Sequence, residues 1–158
     1  MITTSITIKQ YLAEYLYTKF QPEDNCNYIR IPETDDLYDL LWHLMAKRPL
    51  NISPVDRGNI TIALPHRRAG KNPEYYNYIS QRSAHIFEKR VKQLFSLELH
   101  QFLDNNVISG YRYTHQDMVN LFMCKYGLES ITEDALLKNY YRWRDYTRKK
   151  EKRKYRKQ

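Results

Sequence analysis

Glycine is scarce in this chain, four in 158 residues, and proline is hardly more common at six. Long loops and low-complexity linkers are built from those residues, so their shortage excludes a linker-rich architecture and favours helices. The only two cysteines, Cys26 and Cys124, lie too far apart for a paired metal or redox spacing. They read as reduced, partly buried thiols of a cytoplasmic protein. No apolar run approaches the length needed to cross a bilayer, so no membrane span is expected. The stretch from Met1 to Ile8 has neither a basic start nor an extended apolar centre, and no secretory signal is expected there. No internal repeat is present.

Catalytic vocabulary is equally thin. His85, His100 and His115 stand in no ligand pattern with cysteines or carboxylates, and Ser80 and Ser83 sit in no nucleophile elbow. The glycine–lysine order of a phosphate-binding P-loop is absent. The expectation is a non-enzymatic protein without a cofactor. One acidic cluster keeps a metal-dependent nuclease open as an alternative. Asp39 and His43 are four residues apart on one helical face, with Asp35 nearby, and such groups can hold an ion against a phosphate. Helix-dipole compensation and side-chain pairing explain the same residues without a metal.

What the chain has in excess is charge at one end. The first 141 residues hold sixteen basic and sixteen acidic side chains, a formal charge of zero. The last seventeen hold ten Lys or Arg against Asp145 and Glu151, a balance of +8. A neutral body with a cationic end concentrates its charge where a polyanion binds, and release of phosphate counterions is the main sequence-independent drive for such binding. The candidate contacts are Arg142 and Arg144, then Arg148, Lys149, Lys150, Lys152, Arg153, Lys154, Arg156 and Lys157, with Lys138 one turn before them. A second basic cluster, Arg67, Arg68 and Lys71 around Gly70, leaves a strand and enters a helix, where backbone amides can cradle a phosphate. Tyrosine is the other excess, fifteen residues. Its ring packs at a core edge or stacks on a base, and within Tyr140–Thr147 the apolar rhythm favours docking for Tyr140 and Trp143.

Periodicity predicts a mainly helical α+β fold. Thr7 and Gln10 form a capping box ahead of Tyr11, Leu12, Tyr15, Leu16 and Phe20, and residues 21–25 end that helix. Tyr28–Ile31 is a strand candidate. Thr34 caps a helix carrying Leu37, Leu40, Leu41, Leu44 and Met45. Ile60, Ile62 and Leu64 alternate as a half-buried strand that pairs with the first, joined by residues 2–6. Asn72 and Pro73 open a long central helix over 73–104, unbroken or interrupted near Tyr78–Ser83, with Tyr76, Ile79, Ile86, Phe87, Leu94, Phe95, Phe102 and Leu103 as its stripe. Thr114 with Asp117 opens a helix to Tyr126, which Gly127 closes in a left-handed conformation. Thr132 caps the last helix. The expected organisation is one globular domain over 1–147, comprising a small α+β part (1–65), the central helix and a helical hairpin (114–147). A basic tail over 148–158 follows.

The hairpin around Gly127 has the outline of a helix-turn-helix, with a second helix rich in Arg and Tyr. It departs from that motif in a longer turn, in Met123 where a small residue belongs, and in Glu133 where an apolar one does. A packed helical hairpin is the competing reading. Asp117–Gly127, Glu133–Lys138 and Tyr141–Arg144 resemble small basic DNA-binding proteins of bacterial prophages and transposons. The resemblance covers about a third of the chain and implies work on element DNA: replication, excision or transcription control. The partner expected is nucleic acid, DNA ahead of RNA. An RNA-binding or ribonucleoprotein accessory, and a protein-interaction module with a basic tether, are the further alternatives.

Overall fold

The computed structural model describes residues 1–20, 26–53, 55–108, 110 and 112–155. It is a mainly helical α+β fold, with a two-stranded sheet among the described residues. Two compact units are distinguished, Met1–Gln93 and Leu94–Gln158. The dividing point lies inside one long helix.

In the first unit, strand β1 (Thr3–Ile6) pairs antiparallel with β2 (Ile60–Ala63), in a register that sets Thr3 opposite Ala63 and Ile6 opposite Ile60. The expected strand at Tyr28–Ile31 contributes a single parallel bridge, Ile29 to Ile62, and no more. Gly58 lies where a Cβ would come within 2.1 Å of the Ile6 carbonyl oxygen, so this approach to β1 requires glycine. Helix α1 (Gln10–Lys19) buries Leu12, Ala13, Tyr15 and Leu16. Its start differs from the capping box expected at Thr7. Lys9 is the N-cap residue with no side-chain cap of its own, and its amide donates to Glu88 Oε2 at 2.9 Å. The predicted end of α1 at residues 21–25 lies outside the described residues.

Helix α2 (Asp36–Leu44) is capped by Asp35, one residue beyond the expected Thr34, with the Asp35 carboxylate accepting from the Leu37 amide at 2.9 Å. Leu37, Tyr38 and Leu41 are buried, and Met45 follows them into the core.

The central helix α3 runs Gln81–Ile108, later at both ends than the predicted 73–104. Asn72 does accept from the Glu74 amide, at 3.0 Å, but that bond closes a short turn. The chain then extends so that Ala46 and Tyr78 exchange backbone hydrogen bonds, at 3.0 and 3.1 Å. Ser80 Oγ accepts from the Ser83 amide at 3.1 Å and starts α3. Ala84, Phe87, Val91, Phe95, Leu99 and Leu103 form the buried stripe, three or four residues apart, while Ile86 is 43% exposed.

In the second unit, α4 (His115–Tyr126) opens on the predicted capping box. Thr114 Oγ1 accepts from the Asp117 amide at 3.1 Å, and the Asp117 carboxylate accepts from the Thr114 amide at 3.3 Å. Gly127 closes the helix at φ 59°, in the left-handed region. Helix α5 (Glu133–Tyr155) returns against α4. The core between α3, α4 and α5 is built from Phe95, Leu99, Leu103, Val119, Phe122, Leu136 and Tyr140.

Candidate nucleic-acid interface

Helix α5 has two different halves. Thr132 Oγ1 accepts from the Ala135 amide at 3.3 Å, and Glu133 and Asp134 occupy the first turn where the helix dipole favours them. Leu136 and Tyr140 are buried, and the Tyr140 hydroxyl donates to Asp104 Oδ1 at 2.7 Å. Trp143 stacks on His100, whose Nε2 donates to Asn139 Oδ1 at 2.7 Å. The docking expected of Tyr140 and Trp143 is thus what the structure shows. Thr147 Oγ1 donates back to the Trp143 carbonyl at 3.0 Å. Beyond Thr147 the helix continues to Tyr155 with every residue exposed. Lys152, Arg153 and Lys154 fall in the last turn, where cations complement the dipole.

The cations of α5 are arranged by the helical period. At about 100° per residue, Lys138, Arg142, Lys149 and Arg153 lie within about 60° of one another, roughly opposite Leu136, Tyr140 and Thr147. All four are exposed, and the row is about 22 Å long. Lys138 is tied to Asp134 by an exposed ion pair of 2.7 Å. Arg144 is half-buried, its guanidinium 6.0 Å from the centroid of the Tyr140 ring. Among the described residues, neither Arg142 nor the cations from Arg148 to Lys154 form an ion pair. Arg156 and Lys157 lie outside the described residues.

Burial shifts two imidazoles beside this helix. His100 holds its proton less tightly than an ordinary histidine because it is desolvated, an effect that Asn139 and Asp104 only partly oppose. His115 is shifted the same way by burial and by the nearby Arg144 charge, against Asp104. Its Nδ1 is 3.0 Å from the Tyr141 hydroxyl, which fixes the orientation of that ring.

The second basic cluster belongs to the other unit and has a different character. Arg67 forms an ion pair with Asp39 and covers the rings of Tyr38 and Trp42, at 5.4 and 5.2 Å from their centroids. Lys71 Nζ donates to the carbonyls of Trp42, His43 and Met45, at 3.0, 2.9 and 2.7 Å. Those bonds direct all three of its protons to the end of α2, where they act as a helix C-terminal cap at a position the sequence offered for phosphate contact. Gly70, at φ 102°, lies where a Cβ would be 2.8 Å from Trp42 Cζ2, and the segment is seated on α2. Arg68 is exposed.

The metal candidates are engaged separately. Asp35 caps α2, Asp39 pairs with Arg67, and His43 Nδ1 donates to the Asp39 backbone carbonyl at 2.7 Å. Asp36, beside them, pairs with Arg90 at 3.0 Å. Among the described residues no group of three or more His, Cys, Asp or Glu is placed to hold a metal ion.

Tyr141 and Tyr146 belong to the aromatics that the sequence interleaves with arginines, suited to stacking on bases of a single strand or to docking, and the structure leaves both exposed. Tyr141, Tyr146 and Tyr155 are 44%, 66% and 79% exposed on the same helix as the cations. Their helical phase relative to Leu136 and Tyr140 was the available signal for that exposure. No helix among the described residues is long and apolar enough to cross a membrane. No protein-family model matches the chain, and neither a curated protein nor a solved structure does.

Proposed function

We propose that this chain is a non-enzymatic nucleic-acid-binding protein that takes DNA through the cationic half of α5. The observation that carries the reading is the continuation of α5 past its last docked turn as an exposed, positively charged helix, whereas residues 1–141 carry no net charge. Like charges packed along one helix repel each other, and an anionic backbone relieves that repulsion. The contacts are Arg142, Arg148, Lys149, Lys150, Lys152, Arg153 and Lys154 on phosphates, with Lys138 and Arg144 at the edge of the body. Arg68 is a separate candidate on the first unit.

Phosphate contact along the second half of α5 fits the charges better than insertion of its first turn into the major groove. A recognition helix presents its N-terminal residues to the bases. Here those residues include Glu133 and Asp134, whose charges face a polyanion unfavourably, and Lys138 is held by Asp134. The link from Gly127 to Thr132 also exceeds the roughly three- or four-residue turn of the motif. The setting that goes with this reading is a cytoplasmic protein acting on mobile-element or regulatory DNA.

Duplex affinity measured against salt concentration tests the proposal. With about six cations on phosphates, log affinity falls against log salt with a slope of about −5. Salt-dependent binding to RNA with none to DNA would transfer the reading to a ribonucleoprotein accessory. Absence of binding to either at low salt would make the charged helix a tether for a protein-interaction module.

A further inference from the structure

We infer that α5 is built to hold an unpaired nucleic-acid strand, with exposed tyrosines stacking on bases between cations that hold the phosphates; the inference rests on reading α5 as the nucleic-acid-binding element. The helix separates its aromatics into two classes. Tyr140 is fully buried and Trp143 is stacked on His100, so neither ring is free to receive a base. Tyr146 and Tyr155 are 66% and 79% exposed on a charged helix. An exposed ring on a solvated helix gains nothing from the core. Beside a row of cations it gains a specific partner, because every base has an apolar face and every linkage a charge.

The spacing places rings and charges together. Tyr146 follows Arg142 by four residues and precedes Lys149 and Arg153 by three and seven, so these four share one side of α5. Tyr141, Arg148 and Tyr155 recur every seven residues, drifting only about 20° per repeat, and form a second side about 130° round the helix, which puts Tyr155 opposite Tyr146. From Tyr141 to Tyr155 is about 21 Å along the axis, the length of about six nucleotides at stacked spacing. Two bases some nucleotides apart can therefore stack on the end rings while intervening phosphates meet Arg148 and its neighbours. Tyr141 is the preset member, since its hydroxyl lies 3.0 Å from His115 Nδ1. A duplex offers phosphates to the same cations but keeps its base faces stacked internally, so the rings add affinity for unpaired strands alone.

The test compares full-length protein with the Tyr146→Leu/Tyr155→Leu variant, which keeps apolar bulk and helix-forming residues at two positions outside the core. Binding is measured to a labelled mixed-sequence DNA strand, to that strand annealed to its complement, and to an RNA strand of the same sequence. Circular dichroism verifies that helix content is retained. The expected result is at least a tenfold loss, about 1.4 kcal/mol, on single strands with duplex affinity and its salt slope unchanged. A loss on both DNA and RNA strands assigns the site to unpaired bases in general, and a loss on one alone assigns it to that polymer. Equal losses on single strand and duplex, or no loss on single strands while duplex binding stays salt-dependent, overturn the stacking inference and leave the phosphate reading intact. Failure of the wild-type protein to bind any of the three overturns both.

Discussion

Trp143 stacks on His100 with ring centroids 4.4 Å apart and planes 17° from parallel. Among the described residues this pair is the last aromatic contact that α5 makes with its own unit, and Thr147 bonds back to the Trp143 carbonyl one turn later. The packing contacts of α5 described above thus reach Trp143 and Thr147, beyond Arg142. A chain ending at Thr147 should match the full-length protein in urea unfolding. A chain ending at Tyr141 should lose about 2 kcal/mol, the scale of removing a partly buried indole and its stacking. Coincident unfolding curves for the two truncations would show that the stack contributes nothing to stability.

Gly127 supplies a second test in the same unit. At φ 59° a Cβ crowds the following carbonyl, and a β-branched side chain is the worst case. The Leu128 amide bonds to the Met123 carbonyl at 2.9 Å across this residue, so the turn cannot relax without losing that bond. Gly127→Val should cost at least ~1 kcal/mol, read as a lower thermal midpoint, with Gly127→Asn costing less.

Acid should weaken the second unit before its carboxylates titrate. Burial leaves His100 with a proton affinity below that of the unfolded chain, where histidine titrates near about 6.5. The neutral ring is the one the fold accepts. Its contribution is therefore fully present above the unfolded value and is lost as pH falls through the depressed folded value. His115 acts in the same direction, with Arg144 adding to the effect of burial and Asp104 opposing it. Unfolding free energy measured from neutral pH down to about pH 5 should decline. In His100→Gln, which keeps a donor toward Asn139, the decline should be shallower. An identical pH profile in that variant would remove His100 as its cause.

How much of this was legible in the sequence depends on where each partner lies. Thr114 with Asp117, and Gly127, were readable because capping chemistry is satisfied within a few residues. The start of α1 was not, since the group that accepts from Lys9 is Glu88, far along the chain. Asn72 and Pro73 carry the residues of a helix start, but the bridge of Tyr78 to Ala46 draws the chain into an extended segment and delays α3 to Gln81. Val91 and Leu99 complete a stripe that the expected register assigned partly to Ile86, Leu94 and Phe102. At the candidate site, charge was visible in composition alone. That Lys71 belongs to the end of α2 required the fold.

Lys71 gives a prediction on that point. Lys71→Met keeps the aliphatic stem but withdraws three hydrogen bonds from the carbonyls of Trp42, His43 and Met45. The first unit should lose about 1–2 kcal/mol, since a charge-assisted donor at a helix C-terminus is removed. Trp42 fluorescence during denaturation reports it locally. Nucleic-acid affinity should be unaffected. A variant of native stability with weakened binding would reverse the assignment and return Lys71 to the phosphate contacts.

The charges of α5 can be divided experimentally into those that anchor and those that discriminate. Arg148, Lys149, Lys150, Lys152, Arg153 and Lys154 are exposed beyond the last docked turn. Contacts from such residues go to phosphates and carry no base information. Changing all six to Gln should flatten the salt slope from about −5 toward zero and weaken every duplex sequence alike. Lys138, Arg142 and Arg144 differ because they sit on the docked half, with Arg144 against Tyr140 and Lys138 tied to Asp134. A fixed guanidinium can favour one base over another, and a diffuse one cannot. Exchanging these three for Gln should shift the slope by at most about three charges' worth, and any change in preference between sequences should appear in this set alone. Competition binding with two unrelated duplexes separates the sets. Loss of preference on neutralising the distal six, with none on changing the proximal three, would place base reading at the free end of α5 and contradict its role as an anchor.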